Sequence, residues 1–241
     1  MNLLKYIKLI IRANKYKTKN DKGGISYILN NITNGDVVFD IGCHKAGYLY
    51  FMLIKTKDSG QIHAFEPQIN LFNDLISLKK SLNWKNVFIS NLALSEVKEK
   101  VILHIPIVKS KLDSPGASIL NVFTEDQSII QQEIETDTLD NYCLTNNLNP
   151  SLLKIDVEGN ELEVLKGGFN VLKKYKPKIL IESEQRHVGQ DKVREVFSYL
   201  ESLGYNGRFI KDDEYLPLNE FCFDKHQNFD QKPYCNNFIF E

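Results

Sequence analysis

The sequence has few of the features that mark secreted, metal-binding or membrane-spanning proteins. Its 241 residues contain four cysteines, scattered without the paired spacing of a disulfide framework or a zinc site. Cys222, His226 and Cys235 come nearest to a metal-binding set, but reduced thiols are the simpler interpretation. No apolar run approaches the ~18 residues that a membrane span needs, and residues 1–22 lack a signal peptide's apolar block and cleavage site. We therefore expect a cytoplasmic protein and assign no metal ligands.

The chain also lacks the excess of positive charge that is typical of nucleic-acid-binding proteins. Its net charge is −1 at pH 7. Residues 1–22 hold seven Lys or Arg and one Asp, which leaves 23 Lys or Arg against 30 Asp or Glu in the rest. Because the body of the protein is acidic and would repel phosphates, we expect no nucleic-acid partner.

Residues 1–24 form a basic, amphipathic N-terminal segment that precedes the main domain at residues 25–241. If the segment is helical, one stripe of it is apolar and consists of Leu3, Leu4, Ile7, Ile10 and Ile11. We expect this stripe to pack on the domain and the basic face to stay in solvent. The alternative is a weak peripheral contact with an anionic membrane surface. The stretch TKNDKGG, residues 18–24, predicts a hinge between the segment and the domain.

Short apolar runs alternate with helical periodicities through most of the domain. Runs rich in β-branched and aromatic residues predict strands at 37–40, 61–65, 87–90, 152–156 and 179–182. Apolar residues at helical spacing predict helices at 71–82, 162–172 and 193–203. Strands that are apolar throughout are buried on both faces. We therefore expect a doubly wound, mostly parallel α/β sheet with helices on each side.

Two segments depart from this alternation. Residues 97–140 contain two further strand patterns, VILHIPI and QQEIETDTL, with a loop at 109–118 between them. We expect this insertion to form a wall of the substrate site, with residues 113–118 as its tip. The chain ends on NNFIF, which predicts a final, antiparallel strand with no helix after it.

The first predicted strand runs into FDIGCHKAGY, residues 39–48. In a doubly wound sheet, ligands bind where the first strand turns into the first helix, and Gly42 and Gly47 permit a sharp turn there. The G-x-G-x-x-G fingerprint of dinucleotide sites is absent, and Asp40 at the start of the turn would crowd a pyrophosphate. An acid at this place suits a cationic ligand such as S-adenosylmethionine, whose ammonium and sulfonium groups are positive.

A second acid follows the second predicted strand. Glu66 lies 26 residues after Asp40, at the carboxyl end of the strand IHAF. A carboxylate there can accept hydrogen bonds from both ribose hydroxyls of the same ligand. Each acid alone is common at a strand end, but together, in a βαβ frame, they indicate a site for S-adenosylmethionine.

The segment LLKIDVEGNELEVLKGG, residues 152–168, is the most specific motif of the chain. Together with DIGCHKAGY, FEP, NLALSE, ETDTLD and PKILIESE, it makes the sequence resemble the FkbM-type methyltransferases, in which these motifs occur in the same order. The resemblance covers roughly residues 35–185 and the final strand. It implies a Rossmann-like fold, S-adenosylmethionine as cofactor, and O-methylation of a sugar or glycan precursor in polysaccharide biosynthesis.

The resemblance also assigns roles to residues of these motifs. It implies cofactor contacts for Asp40, Gly42, His44, Gly47, Glu66, Asn91 and Ala93. Of these, Glu66 would hold the ribose. Asp156 and Glu158 would face the transferred methyl group. Where family members usually have a glycine, this chain has Ala46, which fits if its φ is negative.

Transfer to a hydroxyl needs a base or a metal, because an alcohol is hardly ionised near neutral pH. The candidate bases are Asp156, Glu158 and His187, the last just beyond the fifth predicted strand. A Mg²⁺ ion held by Asp156, Glu158 and Glu182 is the alternative. Lys154 lies within a central strand and needs a carboxylate partner, for which Glu182 on the neighbouring strand is a candidate. The alternative role for Asp156 is to cap a helix or to form a structural hydrogen bond with Lys154.

Two other functions stay open at this point. A module that binds S-adenosylmethionine without catalysis would retain the same motifs. A nicotinamide-dependent oxidoreductase would share the alternating fold, but the missing fingerprint and the position of Asp40 disfavour it.

Overall fold

The computed structural model of the protein describes residues 3–107, 116–120 and 128–241, and every side chain in these ranges except those of residues 3 and 4. Residues 113–115 of the predicted loop tip lie outside the described residues. The helices are α1 (Leu3–Lys15), α2 (Lys22–Asn31), α3 (Leu49–Thr56), α4 (Ile69–Leu82), α5 (Leu139–Asn146), α6 (Glu161–Lys166), α7 (Phe169–Tyr175), α8 (Gln185–Ser202) and α9 (Phe223–His226). A π-helix spans Tyr16–Asn20, and a 3-10 helix spans Leu218–Glu220. Within the described ranges, every helix is too short or too polar to cross a bilayer.

The strands are β1 (Val37–Ile41), β2 (Gln61–Phe65), β3 (Val87–Ser90), β4 (Ala93–Leu94), β5 (Lys100–Pro106), β6 (Ile129–Asp137), β7 (Leu152–Ile155), β8 (Lys178–Glu182), β9 (Gly207–Lys211), β10 (Glu214–Pro217) and β11 (Asn237–Phe240). Eight of them form a central sheet in the order β10-β9-β11-β8-β7-β1-β2-β3. Strands β3, β2, β1, β7 and β8 are parallel, and β11 runs antiparallel between β8 and β9. This confirms the doubly wound, mostly parallel sheet with an antiparallel C-terminal strand. The antiparallel hairpin of β9 and β10 at one edge is an addition that the alternating pattern does not predict.

The strands are apolar throughout because successive side chains enter the two faces of the sheet, and both faces are covered. Phe39 and Leu153 pack with helices α5 to α8 on one face. Val38 and Leu152 pack with helices α1 to α4 on the other. The protein therefore has two apolar cores, one on each face of the sheet. The carboxyl ends of the parallel strands meet at one edge of the sheet, between the two layers of helices.

The insertion folds as a small sheet with the strand order β4-β6-β5. Strands β5 and β6 pair antiparallel, with Val101 opposite Ile134, so both predicted strands of the insertion are present. Leu103 and Ile105 join Ile134 and Ala93 in a third apolar cluster. Because β4 follows β3 directly, the small sheet lies beside the carboxyl ends of the parallel strands.

The prediction of one helix over residues 162–172 is wrong. The chain forms α6 and α7, which meet at Gly167 and Gly168. A Cβ atom on Gly167 would lie 2.1 Å from the carbonyl oxygen of Ser95, so the turn packs directly against the backbone after β4. The amide of Asp140 also donates to the carbonyl of Gly167 (2.9 Å). These tertiary contacts interrupt a helix that apolar periodicity alone would continue.

Helix α1 packs on the domain with a different face from the predicted one. Leu9 and Ala13 are fully buried in the core cluster shared with α3 and α4. In the predicted stripe, by contrast, Ile7 is 43% and Ile11 is 64% exposed. The expectation that the apolar stripe packs on the domain is therefore wrong, because the buried face is centred about half a turn away from it.

The predicted junction at residues 18–24 contains a break between two helical stretches. The π-helix continues α1 as far as Asn20, and Asp21 is not helical (φ −155°, ψ 66°). The side chain of Asp21 then caps α2 by accepting a hydrogen bond from the amide of Gly24 (2.9 Å). The continuity of α1 with the π-helix places Tyr16 at the candidate site.

Candidate functional site

A cleft opens at the carboxyl ends of β1, β2 and β7. This is the edge at which doubly wound sheets bind ligands. Most of the sequence-predicted site residues line it: Asp40, Gly42, His44, Gly47, Glu66, Ala93, Asp156 and Glu158. Asn91 and His187 lie outside its lining. The structure thus brings four motifs that are far apart in sequence to one wall.

The turn after β1 is held against its neighbours on both sides. The amides of Gly42 and Cys43 donate to the carbonyl of Phe65 at 3.1 and 3.0 Å. Gly42 has φ +80°, and a Cβ atom there would lie 1.8 Å from the carbonyl oxygen of Asp156. Only glycine can occupy this position, because the backbone is in the left-handed region and the chain after β7 leaves no room for a Cβ atom.

Ala46 does not meet the condition under which an alanine was expected to fit. Its φ is +63°, and His44 in the same turn also has a positive φ of 45°. An alanine in the left-handed region costs about 1 kcal/mol, and the buried packing of its methyl group compensates in part. The turn therefore holds an alanine in a conformation that favours glycine.

Asp40 presents a buried carboxylate to the cleft. The side chain is fully buried, and neither of its oxygens has a hydrogen bond of good geometry to any described residue. Burial raises the pKa of Asp40 to about 6, against the opposing effect of Lys154, whose Nζ lies 3.9 Å away. A buried carboxylate with only a weak contact to the amide of Leu49 and a distant cation is costly. The ammonium group of S-adenosylmethionine would add a donor of good geometry, so this part of the cleft fits the predicted cofactor.

Lys154 is the cation between two acids of the site. Its Nζ lies 2.9 Å from Oδ2 of Asp156 and 3.5 Å from the carbonyl of Gly42, in addition to the contact with Asp40. The prediction of Glu182 as its partner is wrong, since Glu182 accepts a hydrogen bond from Asn236 instead (2.6 Å). Lys154 therefore joins the first and central motifs electrostatically.

Glu66 lies at the end of β2 and is 3% exposed. Its Oε1 accepts a hydrogen bond from the amide of Gln68 (2.9 Å), and burial raises its pKa to about 7. Asn91 stands behind it and donates to the carbonyls of Glu66 and Pro67, both at 2.9 Å. Asn91 thus positions the loop that carries Glu66, while its contact with the cofactor stays a prediction.

We expect the affinity for S-adenosylhomocysteine to rise with pH through the titration of Glu66. Ribose hydroxyls donate to an ionised carboxylate, so binding favours the form that dominates above the pKa of about 7. The Kd measured by calorimetry should be about tenfold weaker at pH 6 than at pH 8. The Glu66→Gln variant should bind weakly and lose most of this dependence. An equal pH dependence in the variant would assign the proton to another group, Asp40 first.

Glu158 and His187 form a pair at the edge of the cleft. The Nε2 of His187 lies 2.9 Å from Oε2 of Glu158, a charge contact that departs from hydrogen-bond alignment. Burial raises the pKa of Glu158, and the contact with His187 opposes this. For His187, burial would lower the pKa, but the contact with Glu158 outweighs it and the pKa is raised. The pair can therefore share one proton between the carboxylate and the imidazole.

The loop that carries Glu158 is fixed by its neighbours. Glu158 and Gly159 both have positive φ, and the carboxylate of Glu161 accepts the amide of Gly159 (2.9 Å). The hydroxyl of Ser118 donates to the carbonyl of Glu158 (2.7 Å), which links the insertion to the loop. Within the described residues, no three His, Cys, Asp or Glu side chains are grouped as around a metal ion, so the alternative of a Mg²⁺ ion gains no support.

Several cleft residues were not among the sequence-predicted ones. Tyr16 of the π-helix lines the cleft together with Tyr48, and their rings meet edge to face at 6.0 Å. From the insertion, Leu103, Ala117 and Ile119 line it as well, which is consistent with a wall formed by residues 97–140. For Tyr16 the sequence carries no signal, because its place depends on how α1 packs.

Comparisons with known proteins agree with this geometry. Residues 40–206 match the family model of the methyltransferase FkbM domain. The structure resembles that of the methyltransferase FkbM from Methylobacillus flagellatus KT, with a TM-score of 0.55 and 15% identity over 86% of this chain. The match spans 44% of that chain, so this chain corresponds to less than half of its length.

Two further solved structures have lower similarity. A SAM-dependent O-methyltransferase from Thermotoga maritima gives a TM-score of 0.48 with 10% identity, over 95% of this chain and 69% of that one. Fibrillarin from Aeropyrum pernix, with natively bound S-adenosyl-L-methionine, gives 0.46 with 10% identity, over 87% of this chain and 67% of that one. A comparison with curated proteins found no match.

Proposed function

The chain belongs to the methyltransferase FkbM family, and we propose that it transfers a methyl group from S-adenosylmethionine to a hydroxyl oxygen of a sugar or glycan precursor. The observation that favours oxygen as the atom that is methylated is the contact between Glu158, which lines the cleft, and His187. A hydroxyl needs a base in order to react, and this pair can supply one.

The acidic residues at the ends of β1 and β2 would bind and orient the cofactor. Asp40 has a buried carboxylate for the ammonium, and Glu66 has one for the ribose hydroxyls. When bound, S-adenosylmethionine supplies a methyl group on a positively charged sulfur. Because the displacement is in line, the main task of the protein is to align the acceptor oxygen with that methyl group. The fixed turn at Gly42 and the fixed loop at Glu158 provide rigid supports for this alignment.

The proton of the acceptor hydroxyl would go to the Glu158 and His187 pair. Glu158 lines the cleft and can touch the hydroxyl, whereas His187 lies behind it. The proton taken by Glu158 would end on His187, whose pKa the carboxylate raises. Base catalysis of this kind contributes about 10²–10⁴-fold to a rate. In these terms Glu158 is the catalytic residue and His187 a positioning and proton-holding residue.

Asp156 has a different part in this proposal. Its carboxylate is already engaged in an ion pair with Lys154 at 2.9 Å. Its carbonyl oxygen also packs against Gly42 of the cofactor turn. We therefore propose that Asp156 orients the cofactor end of the cleft, and that its assignment as base passes to Glu158.

We infer the chemical class of the acceptor from the family motifs and from the cleft residues that are not assigned to the cofactor. Tyr16 and Tyr48 contribute aromatic side chains, Ile119 and Leu103 an apolar side, and Glu158 a polar group. A sugar ring, with hydroxyls at its rim and apolar faces, matches a wall of this mixed character. This part of the proposal does not depend on which sugar is bound.

The proposal is tested by turnover of the purified chain with S-adenosylmethionine and a panel of monosaccharides, methyl glycosides and nucleotide sugars. We expect S-adenosylhomocysteine to form only when a suitable acceptor is added, with the product a methyl ether by mass spectrometry and NMR. A reaction without acceptor is the control. Methylation on nitrogen or carbon would contradict the proposed chemistry, and tight cofactor binding without turnover on any acceptor class would favour the non-catalytic module.

A further inference from the structure

The face of α1 that points away from the domain is apolar. Ile7 and Ile11 are 43% and 64% exposed, and Ile10 on the same face is half-buried. The opposite face carries Leu9 and Ala13, which are buried against the domain. Two apolar faces on one helix are unusual for a surface helix, whose outer face is normally polar.

Basic side chains surround this outer stripe. Lys8 and Lys15 flank it on α1, and Lys17 and Lys19 continue the exposed surface on the π-helix. The acid nearest in sequence, Asp21, is turned inward to cap α2. The border that α1 and the π-helix give to the stripe is therefore positive, and Asp74 of α4 is the acid that shares a surface pocket with Lys8.

We propose that α1 docks on an anionic lipid surface, with Ile7, Ile10 and Ile11 entering the boundary of the acyl chains. An exposed apolar stripe bordered by lysines is the arrangement by which amphipathic helices lie in the plane of a membrane. A second copy of the chain fits less well, because stacking two stripes would bring two segments of equal positive charge together. The lysines at the border of the stripe favour an anionic partner, and the isoleucines favour one with an apolar interior. An anionic lipid surface has both properties.

Docking would hold the cleft in a fixed relation to the surface. Helix α1 runs without interruption into the π-helix, whose first residue, Tyr16, lines the cleft. Arg12 of α1 also donates to the carbonyl of Lys45, in the turn after β1 (2.5 Å). The docked helix is therefore joined rigidly to the cofactor turn, and the inference does not depend on which acceptor is methylated.

Co-sedimentation of the full chain with lipid vesicles tests the proposal. Vesicles of phosphatidylglycerol and phosphatidylcholine in about a 1:3 ratio should bind the chain, and vesicles of phosphatidylcholine alone should not. Binding should weaken as salt is raised, because the lysines are exposed. The Lys8→Gln/Lys15→Gln variant should bind about 30-fold more weakly, and the Ile7→Gln/Ile11→Gln variant at least tenfold more weakly.

Matched variants elsewhere on the surface separate these effects from net charge and hydrophobicity. Lys85→Gln/Lys225→Gln removes the same charge from exposed sites far along the chain, and Ile102→Gln/Leu144→Gln removes two other exposed apolar side chains. Both should bind vesicles as the parent chain does. Equal binding of the parent chain to neutral and anionic vesicles would overturn the proposal, and so would full binding by the Ile7→Gln/Ile11→Gln variant. The proposal would also be overturned if this variant lost self-association of the chain but kept vesicle binding.

Discussion

Replacing Glu158 with Gln should lower kcat by about 10²–10⁴-fold while the Kd for S-adenosylhomocysteine changes by less than about twofold. The amide has nearly the shape of the carboxylate but cannot take the proton of the acceptor hydroxyl. The cofactor wall at Asp40 and Glu66 is untouched, so binding and turnover should separate. Single-turnover kinetics and calorimetry on the same preparation measure the two quantities.

The pH profile distinguishes a proton-holding pair from a merely structural one. The pair acts as a base when it has lost its proton, so kcat should rise with pH through the pKa of His187, which lies above its ordinary value of 6.5. In the Glu158→Gln variant the carboxylate no longer opposes burial, so the residual activity should rise at a lower pH. The double variant with His187→Asn should be no slower than the worse single one, because the two residues act as a unit.

A matched carboxylate provides the control for the Glu158 variant. Glu163 lies on α6, a few residues further along the chain, and is not part of the cleft lining. The Glu163→Gln variant should keep the parent kcat and Kd. If Glu158→Gln retained full turnover on the best acceptor, the base would have to be sought elsewhere, with Asp156 the next candidate.

Replacing Lys154 with Met should lower the free energy of unfolding by about 3–5 kcal/mol. The side chain of Met fills much of the same space, but the substitution removes the cation from between Asp40 and Asp156. The carboxylate of Asp40 is fully buried without hydrogen bonds of good geometry, so it would lose its main source of stabilisation. Urea unfolding followed by circular dichroism at about pH 8 measures the loss.

The pH dependence of this loss identifies its cause. Burial already raises the pKa of Asp40 to about 6, and without Lys154 it would rise further. A carboxyl with a raised pKa in the folded state destabilises that state progressively as the pH rises from its unfolded value. The loss should therefore be largest above the folded pKa and smaller at about pH 5, where Asp40 is protonated.

A second substitution and a surface control complete this test. Adding Asp40→Asn to the Lys154→Met variant should recover at least half of the lost stability, because the unpaired charge is removed. The exposed Lys85→Met should change stability by less than about 0.5 kcal/mol. A loss below about 1 kcal/mol for Lys154→Met would contradict a charge-compensating role for this lysine.

Most of the fold could be predicted because its signals are local. Strands such as β2 and β3 begin and end where β-branched and aromatic runs do, since each strand must fill both faces of a buried sheet. The prediction of a single helix over residues 162–172 fails because a contact with a distant part of the chain ends the helix. Gly167 packs against the backbone of Ser95, more than seventy residues earlier. It also omits the β9 and β10 hairpin, whose mixed composition carries a weak strand signal.

The candidate site was accessible to sequence analysis for a related reason. Asp40, Glu66 and Asp156 stand at the ends of parallel strands, and parallel strands bring their carboxyl ends to one edge whatever the loops between them do. The sequence left the partner of Lys154 open between Glu182 and Asp156, because a side chain on a central strand can reach either neighbour. Its contacts with Asp156 and Asp40 became evident only in the structure.

By itself, the sequence determined the order of elements, the family motifs and the types of residue at the cleft, since these depend on local pattern and on the geometry of a parallel sheet. Only the tertiary structure decided the face of α1 that is buried, the place of Tyr16 in the cleft, the positive φ of Ala46 and the contact between Glu158 and His187. Each of these depends on packing between segments that are far apart in the chain. Helical periodicity identifies an apolar face, but the shape of the surface it meets decides whether that face is buried.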